Sequence, residues 1–405
     1  MRITVVGINY APEVTGIAPY TTGFVEGMVR AGHDVFVLTA PPHYPEWRIS
    51  PGYEHVRQAE EINGALVRRV RLGAPVRPGA RGRLMLEAGF AQGVVRARWR
   101  RPDLVVTVSP TLLSAAAVIA RARLTGVPCG VVVQDLYGKG VVETGAMSGP
   151  LAKAAARFEG TALNGANGVA VIHERFVDNV VALGVDRSKV EVIRNWTHIA
   201  PEVEVAPAAD IRASLGWQPN EIVAVHTGNM GVKQGLDNVI EAAKLASAAG
   251  GPRVRFVLVG DGNQRARLQE RARNVAQVEF VDPLPESEFR RVLSAADVLL
   301  VNEKPGVGEM AVPSKLTSYF VSGRPVVAAT DPSSGAAHEI NASGAGHLVA
   351  AGDPAALLSA VITVGSDSEA AARLAANGRT YALSTLSAAK AVDHYDEWCQ
   401  SLVAR

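Results

Sequence analysis

The chain has 405 residues, 48% hydrophobic and 20% charged, a balance that excludes a disordered chain and allows large cores in about two domains of ordinary size. Its formal net charge of +2 removes whole-molecule basicity as a reason to expect nucleic acid. Cys129 and Cys399 are the only cysteines, which excludes a disulfide framework and a cysteine-rich metal site and favours a reducing cytoplasm.

Residues 2–7 read as a strand ending at Gly7, with no export signal after it, and no later run approaches the roughly 18 apolar residues of a membrane span. Residues 20–31 place Thr21, Phe24, Val25 and Met28 on one helical face, and Gly32 stops that helix. Residues 35–38 form a second strand, so the chain opens with the spacing of a right-handed βαβ unit. Further apolar runs at 104–108, 130–133, 168–172 and 190–193 continue the pattern.

Residues 199–221 are proline-rich and read as an interdomain linker. A second α/β run follows, with strands at 222–227, 254–259, 278–281, 298–301 and 325–329 and a helix at 236–248. These runs are continuously apolar, as parallel strands covered on both faces are. The expected architecture is α/β, with two doubly wound Rossmann-like domains, 1–200 and 201–387, facing across a cleft at the carboxyl ends of their strands. A terminal helix, 388–405, carries Val392, Tyr395, Trp398 and Cys399 on its apolar side and is expected to pack on the first domain.

The most informative segment runs from His226 through Gly228, Asn229, Gly231 and Lys233 to Gly235 and Leu236, leaving a strand, turning on glycines and entering a helix. Glycines let backbone amides approach a phosphate, and Lys233 adds a full charge. An ordinary βα turn with an exposed lysine is the alternative. In a second segment Ser314 reads as the N-cap and Gly323 as the stop of a short helix, with the amides of Ser314, Lys315 and Leu316 offered to an anion. Gly260-Asp261-Gly262 follows a strand but completes no dinucleotide fingerprint, so it implies only a tight turn beside a nucleotide. In the first half, Gly16 lies in a long loop where backbone can approach a phosphate. Asp135, at a strand's carboxyl end, is placed either to contact a sugar or acceptor or to cap its own loop. No Asp-x-Asp pair, zinc-protease helix or nucleophile elbow occurs, and His173, His198 and His226 stand singly, so no metal site is expected.

Charge is concentrated between residues 68 and 101, where Arg68, Arg69, Arg71, Arg77, Arg81, Arg83, Arg96, Arg98, Arg100 and Arg101 are accompanied by one acid, Glu87. Leu84, Met85, Leu86, Phe90 and Trp99 are interleaved with them. Two readings stand: a segment lying in an anionic headgroup layer, and a solvated helix whose apolar residues pack inward.

Taken together, these motifs resemble the retaining glycosyltransferases of family four, within the branch of colanic-acid-type and fucosamine-type polysaccharide glycosyltransferases. The resemblance rests on Asn-Tyr-x-Pro-Glu-x-Thr-Gly at 9–16, Gln-Asp-Leu at 134–136, Ile-Arg-Asn-Trp at 193–196, Gly-Asn-Met-Gly-x-Lys-Gln-Gly at 228–235 and Pro-Ser-Lys-Leu at 313–316. It implies a GT-B fold and metal-independent transfer with retention from a nucleotide-diphosphate sugar, which serves as co-substrate with no other cofactor. By the same resemblance Gly16 and Ile17 approach the diphosphate from the first domain and Lys233 binds it from the second. Gly228, Gly260, Gly262 and Leu284 join the donor site, with Ala311, Ser314, Lys315 and Leu316 beyond them. Asn229 stands where many relatives carry arginine. Two family glutamates eight residues apart correspond to Met310 and Ser318, and Glu309 is the acid nearest the first. Lys233, Asp135 and Glu309 are thus the catalytic candidates. The acceptor is either a lipid-linked saccharide, reached by a cytoplasmic enzyme peripheral on the inner face of the cell membrane, or a soluble small molecule such as an aminoglycoside. A nucleotide-sugar-binding subunit without turnover is the non-enzymatic alternative.

Overall fold

The computed structural model describes residues 1–14, 16–54, 59–72, 80–136, 149–197, 206–248, 251–306 and 314–404. Its chain divides into two compact units, Met1–Trp196 with Ala388–Arg405, and Thr197–Ser387.

Among the described residues the first unit is built on eight strands: β1 (Arg2–Val6), β2 (Asp34–Thr39), β3 (Glu60–Ile62), β4 (Ala65–Arg69), β5 (Leu104–Ser109), β6 (Cys129–Val133), β7 (Gly168–Val171) and β8 (Val190–Val192). They lie in the order β3-β4-β2-β1-β5-β6-β7-β8, and every pairing is parallel except β3 with β4. Valines and leucines of β1, β2, β5 and β6 are buried on both faces, which explains their unbroken apolar runs. The β3–β4 hairpin was not foreseen, because its strands carry Glu60, Glu61, Arg68 and Arg69 and show little apolar pattern. Its turn is specified locally instead: Asn63 and Gly64 both take positive φ, 50° and 83°, as a two-residue hairpin turn requires.

The terminal helix Ala388–Ala404 belongs to this first unit. Tyr395, Trp398, Cys399 and Leu402 are buried, and small residues opposite make room for them. A β-carbon on Gly130 would stand 2.5 Å from the Trp398 ring, and one on Gly168 2.7 Å from Leu402. The helix therefore docks where two strands present no side chain.

The described residues of the second unit form six parallel strands, β9 (Glu221–Thr227), β10 (Arg253–Val259), β11 (Val278–Val281), β12 (Val298–Asn302), β13 (Val326–Thr330) and β14 (Gly346–Ala350), in the order β11-β10-β9-β12-β13-β14. The chain leaves β9 towards one edge and later returns to pair β12 on its other side. The carboxyl ends of β9 and β12 thus form a topological switch point, where doubly wound sheets bind ligands.

Much of the expected linker is part of this unit. Ala208–Ser214 is a helix whose Ile211 is buried, followed by buried Trp217, while Arg212 forks onto Asp297 at 3.0 Å. Proline-rich composition hid a short amphipathic anchor there. Residues 198–205, including His198, lie outside the described residues.

Candidate functional site

At the end of β9 the chain turns at Gly228, whose φ of 104° is open to glycine and strained for other residues. Gly228 and Asn229 are exposed, whereas Met230 is fully buried and anchors the turn in the core. The Gly260–Gly262 turn after β10 interlocks with it. A β-carbon on Gly260 would fall 2.1 Å from the Gly228 carbonyl oxygen, and one on Gly262 2.6 Å from the Met230 backbone. Three backbone bonds join the turns: Gly228 N–H to Val259 O at 2.8 Å, Met230 N–H to Asp261 O at 2.7 Å, and Gln264 N–H to Met230 O at 2.9 Å. The Gly-Asp-Gly turn therefore supports the site's backbone from behind.

The far end of the turn is tied to β12. Buried Asn302 donates to the carbonyls of Gln234 and Gly235 at 2.7 and 3.0 Å and accepts from Asn238 at 2.8 Å. Lys304 N–H also bonds Lys233 O at 2.8 Å. The Lys233 side chain is half-buried, and among the described residues its ammonium has no hydrogen-bond or ion-pair partner.

The helix Lys315–Val321 closes the site from the β12–β13 side. Lys315 and Tyr319 are four residues apart and share one helical face. The Tyr319 hydroxyl lies 2.9 Å from the Thr227 amide and 3.3 Å from Leu300 O, and this fixes the helix against β9. Lys315 Nζ lies 3.2 Å from His226 Nε2 and 3.9 Å from where a β-carbon on Gly228 would be. Burial, opposed by nearby Glu303, pushes the Lys315 amine down to about 7. Burial, with Lys315 beside it, holds His226 well below the ordinary imidazole value, so the ring is neutral at pH 7.

Gly228, Asn229, Lys233 and Lys315 thus all lie at the β9–β12 end of the sheet. Leu316 is buried in the core, and Leu284 is half-buried against it in the loop after β11. Ser314 does not cap as expected: it has helical backbone angles and no side-chain cap bond, and its carbonyl accepts from the Thr317 hydroxyl at 2.8 Å. Ser318 is half-buried on the same helix. Glu309, Met310 and Ala311 lie outside the described residues.

In the first unit Gly16, at φ 65°, passes within 3.2 Å of the Tyr44 ring by its would-be β-carbon, and Ile17 begins the helix Ala18–Arg30. Asp135 Oδ1 accepts its neighbour's amide, Leu136 N–H, at 2.9 Å, a local loop bond. Three residues of this unit's shared motifs are structural: Gln134 and Asn195 exchange amide bonds at 3.2 and 2.8 Å, and Trp196 is buried against Tyr20. Glu13, not singled out from sequence, is buried and accepts from Asn9 Nδ2, His43 N–H and Tyr44 N–H at 2.8, 2.7 and 2.8 Å. It ties the loops after β1 and β2 together. Glu303 was also missed, though an Asn-Glu pair closing an otherwise apolar strand was a readable signal.

The family descriptions "Glycosyl transferase 4-like domain" and "Glycosyl transferases group 1" match residues 15–196 and 221–367. The Escherichia coli (strain K12) protein named as colanic acid biosynthesis glycosyl transferase WcaI is 34% identical over 344 residues, 81% of this chain and 83% of its own. The chain belongs to the family-four glycosyltransferases. This transferase also shares its fold with sucrose-phosphate synthase from Thermosynechococcus elongatus, at TM-score 0.78 and 19% identity over 100% of this chain and 99% of that one. Anabaena Alr3699/HepE, solved in complex with UDP-glucose, matches at TM-score 0.71 and 17% identity over 98% and 99%. The transferase therefore has two parallel-sheet Rossmann-like units of the GT-B kind.

The arginine-rich segment of the transferase divides into two classes. Arg69 is internal, bonded to Glu60, Ala40 O and Ala11 O, and Glu87 is buried under the helix Leu112–Thr125, accepting Leu113 N–H at 3.4 Å. Leu86 and Phe90 are also buried, and Trp99 packs under Arg121. Arg83, Arg96, Arg98 and Arg101 are exposed, and Leu84, Met85 and Val95 expose 51%, 74% and 46% of their surface beside them. Arg77 and the side chain of Arg81 lie outside the described residues.

Proposed function

We propose that this transferase moves a sugar, with retention and without a metal ion, from a nucleotide-diphosphate sugar to a hydroxyl acceptor in surface polysaccharide or lipid-linked glycan assembly. The observation that carries the reading is the exposed Gly228–Asn229 backbone at the β9–β12 switch point, with Lys233 and Lys315 beside it. An exposed glycine turn with two lysines suits a diphosphate and leaves little for a dinucleotide fingerprint. The WcaI relative is named for colanic acid biosynthesis, and the HepE structure holds UDP-glucose, both consistent with a sugar nucleotide and a polysaccharide product.

In this reading the bond from the sugar's anomeric carbon to the diphosphate oxygen breaks as the acceptor hydroxyl bonds that carbon on the same face. Lys233 and the amides that open the helix Lys315–Val321 stabilise the charge growing on the leaving diphosphate, whose oxygen takes the hydroxyl proton. Asp135 orients the acceptor from the first unit. The exposed Arg83, Arg96 and Arg98 with Leu84 and Met85 fit an anionic headgroup layer, and that favours a lipid-linked acceptor on the cytoplasmic leaflet.

A thermal-shift panel of UDP-, ADP-, GDP- and TDP-sugars, with EDTA present, tests the donor assignment. A bound donor at about 100 times its dissociation constant stabilises the protein by roughly 2.7 kcal/mol. If none of the panel shifts the transition, the donor reading fails. NMR of the product's anomeric proton decides retention.

A further inference from the structure

Around Lys315, beneath the exposed glycine turn, His226, Glu303, Thr330 and Ser334 form a polar cluster to which the proposed chemistry has given no part. Three adjacent strands contribute to it at their carboxyl ends: His226 from β9, Glu303 just after β12, and Thr330 closing β13. The Thr330 hydroxyl donates to Glu303 Oε2, and Ser334 Oγ lies 2.7 Å from that hydroxyl. Glu303 N–H is held by Ala329 O at 2.9 Å, so the carboxylate is fixed at both backbone and side chain. Lys315 enters from the fourth side, its position set by the Tyr319 anchor one turn later on the helix.

The Lys315 amine rests on a fully buried imidazole, which offers one acceptor and no charge, and lies 3.9 Å from where a β-carbon on Gly228 would be. In the turn between Gly228 and Gly235 only Lys233 is charged. We propose that Lys315 is the second cation of the diphosphate site, held ready by His226 and Glu303 as positioning residues, and that it takes up a proton when the diphosphate arrives. This rests on the donor reading above.

The charged and titratable groups around Lys315 agree with that assignment. His226 faces it from β9 and stays neutral, while Glu303 faces it from β12 and favours the ammonium form. Asp331, after β13, acts on Glu303 and raises it further, as burial does. No other charged residue lies on the helix Lys315–Val321 itself. Free of ligand, an amine pushed down to about 7 is mostly neutral at pH 8. A diphosphate placed over it restores the charged form, and the proton comes from the buffer.

The test is calorimetric titration of the full chain with UDP-glucose, ADP-glucose and GDP-mannose, whose diphosphates do not titrate near neutral pH. Each is titrated in HEPES and in Tris, buffers with different ionisation heats. The expected uptake is the larger part of a proton per donor bound at pH 8, falling away at pH 6. Lys315→Met abolishes the buffer dependence and weakens binding at least tenfold. Glu303→Gln leaves binding measurable but moves the uptake curve to lower pH, because the ammonium loses its counter-charge; a merely structural Glu303 would leave the curve in place. A donor that binds with no proton uptake at pH 8, or uptake that survives Lys315→Met, overturns this proposal and spares the donor reading. Should no nucleotide sugar bind at any pH, both fall together.

Discussion

The hydroxyl of Tyr319 accepts the backbone N–H of Thr227 at 2.9 Å, a bond between residues 92 positions apart that joins a short helix to the last residue of the central strand. Tyr319→Phe leaves that buried N–H without a partner, which costs about 1–3 kcal/mol. The expected result is a lower-melting second unit and weaker donor binding, because Lys315 rides the same helix. Differential scanning calorimetry with and without donor checks both, and an unchanged melting profile would show that the contact does not anchor the helix.

Lys233→Ala should leave the fold intact, since the side chain is half-buried and its ammonium has no partner among the described residues. A charge-assisted contact to phosphate contributes about 1.5–3 kcal/mol, so turnover should fall at least tenfold. Steady-state release of nucleoside diphosphate measures it. Near-wild-type turnover in a folded variant would remove Lys233 from the site.

Glu87 gives a pH-dependent prediction. Burial pushes its carboxyl up to about 7, against an ordinary value of 4.5. The folded protein therefore binds a proton there that the unfolded chain releases above pH 4.5, and the associated stability is present below that pH and lost as pH rises through 7. Glu87→Gln should be close to neutral at pH 4.5 and stabilising by about 1–3 kcal/mol at pH 8.5. Urea unfolding at the two pH values checks the sign; equal effects at both would mean that Glu87 titrates alike in the folded and unfolded chain.

For the membrane surface, wild-type protein should sediment with vesicles containing phosphatidylglycerol at low salt and be released by 0.5 M salt, as charge screening requires. The variant Met85→Glu with Arg96→Glu and Arg98→Glu alters exposed residues only and should remain in the supernatant. If the wild type also fails to bind at low salt, an acceptor in solution becomes the better reading.

The two parallel α/β units are legible in the amino-acid pattern, because strands covered on both faces must be apolar at nearly every position and β1, β5, β9, β10 and β12 announce themselves that way. That pattern also located the Gly228–Gly235 turn, since glycines within a few residues of one another after an apolar strand mark a tight βα turn. The β3–β4 hairpin escaped this reading because its strands are charged and its only strong signal is Asn63-Gly64. Tertiary structure alone decided which charges count. Arg69 and Glu87 look like surface residues in a basic run, yet backbone carbonyls and amides of distant elements enclose them. Glu303, Thr330, His226 and Lys315 are spread over 105 positions, from 226 to 330, and become one cluster only because parallel strands bring their carboxyl ends to the same edge of the sheet. Local pattern reports what a residue's immediate neighbours require, whereas the protonation of a lysine depends on what the whole fold packs around it.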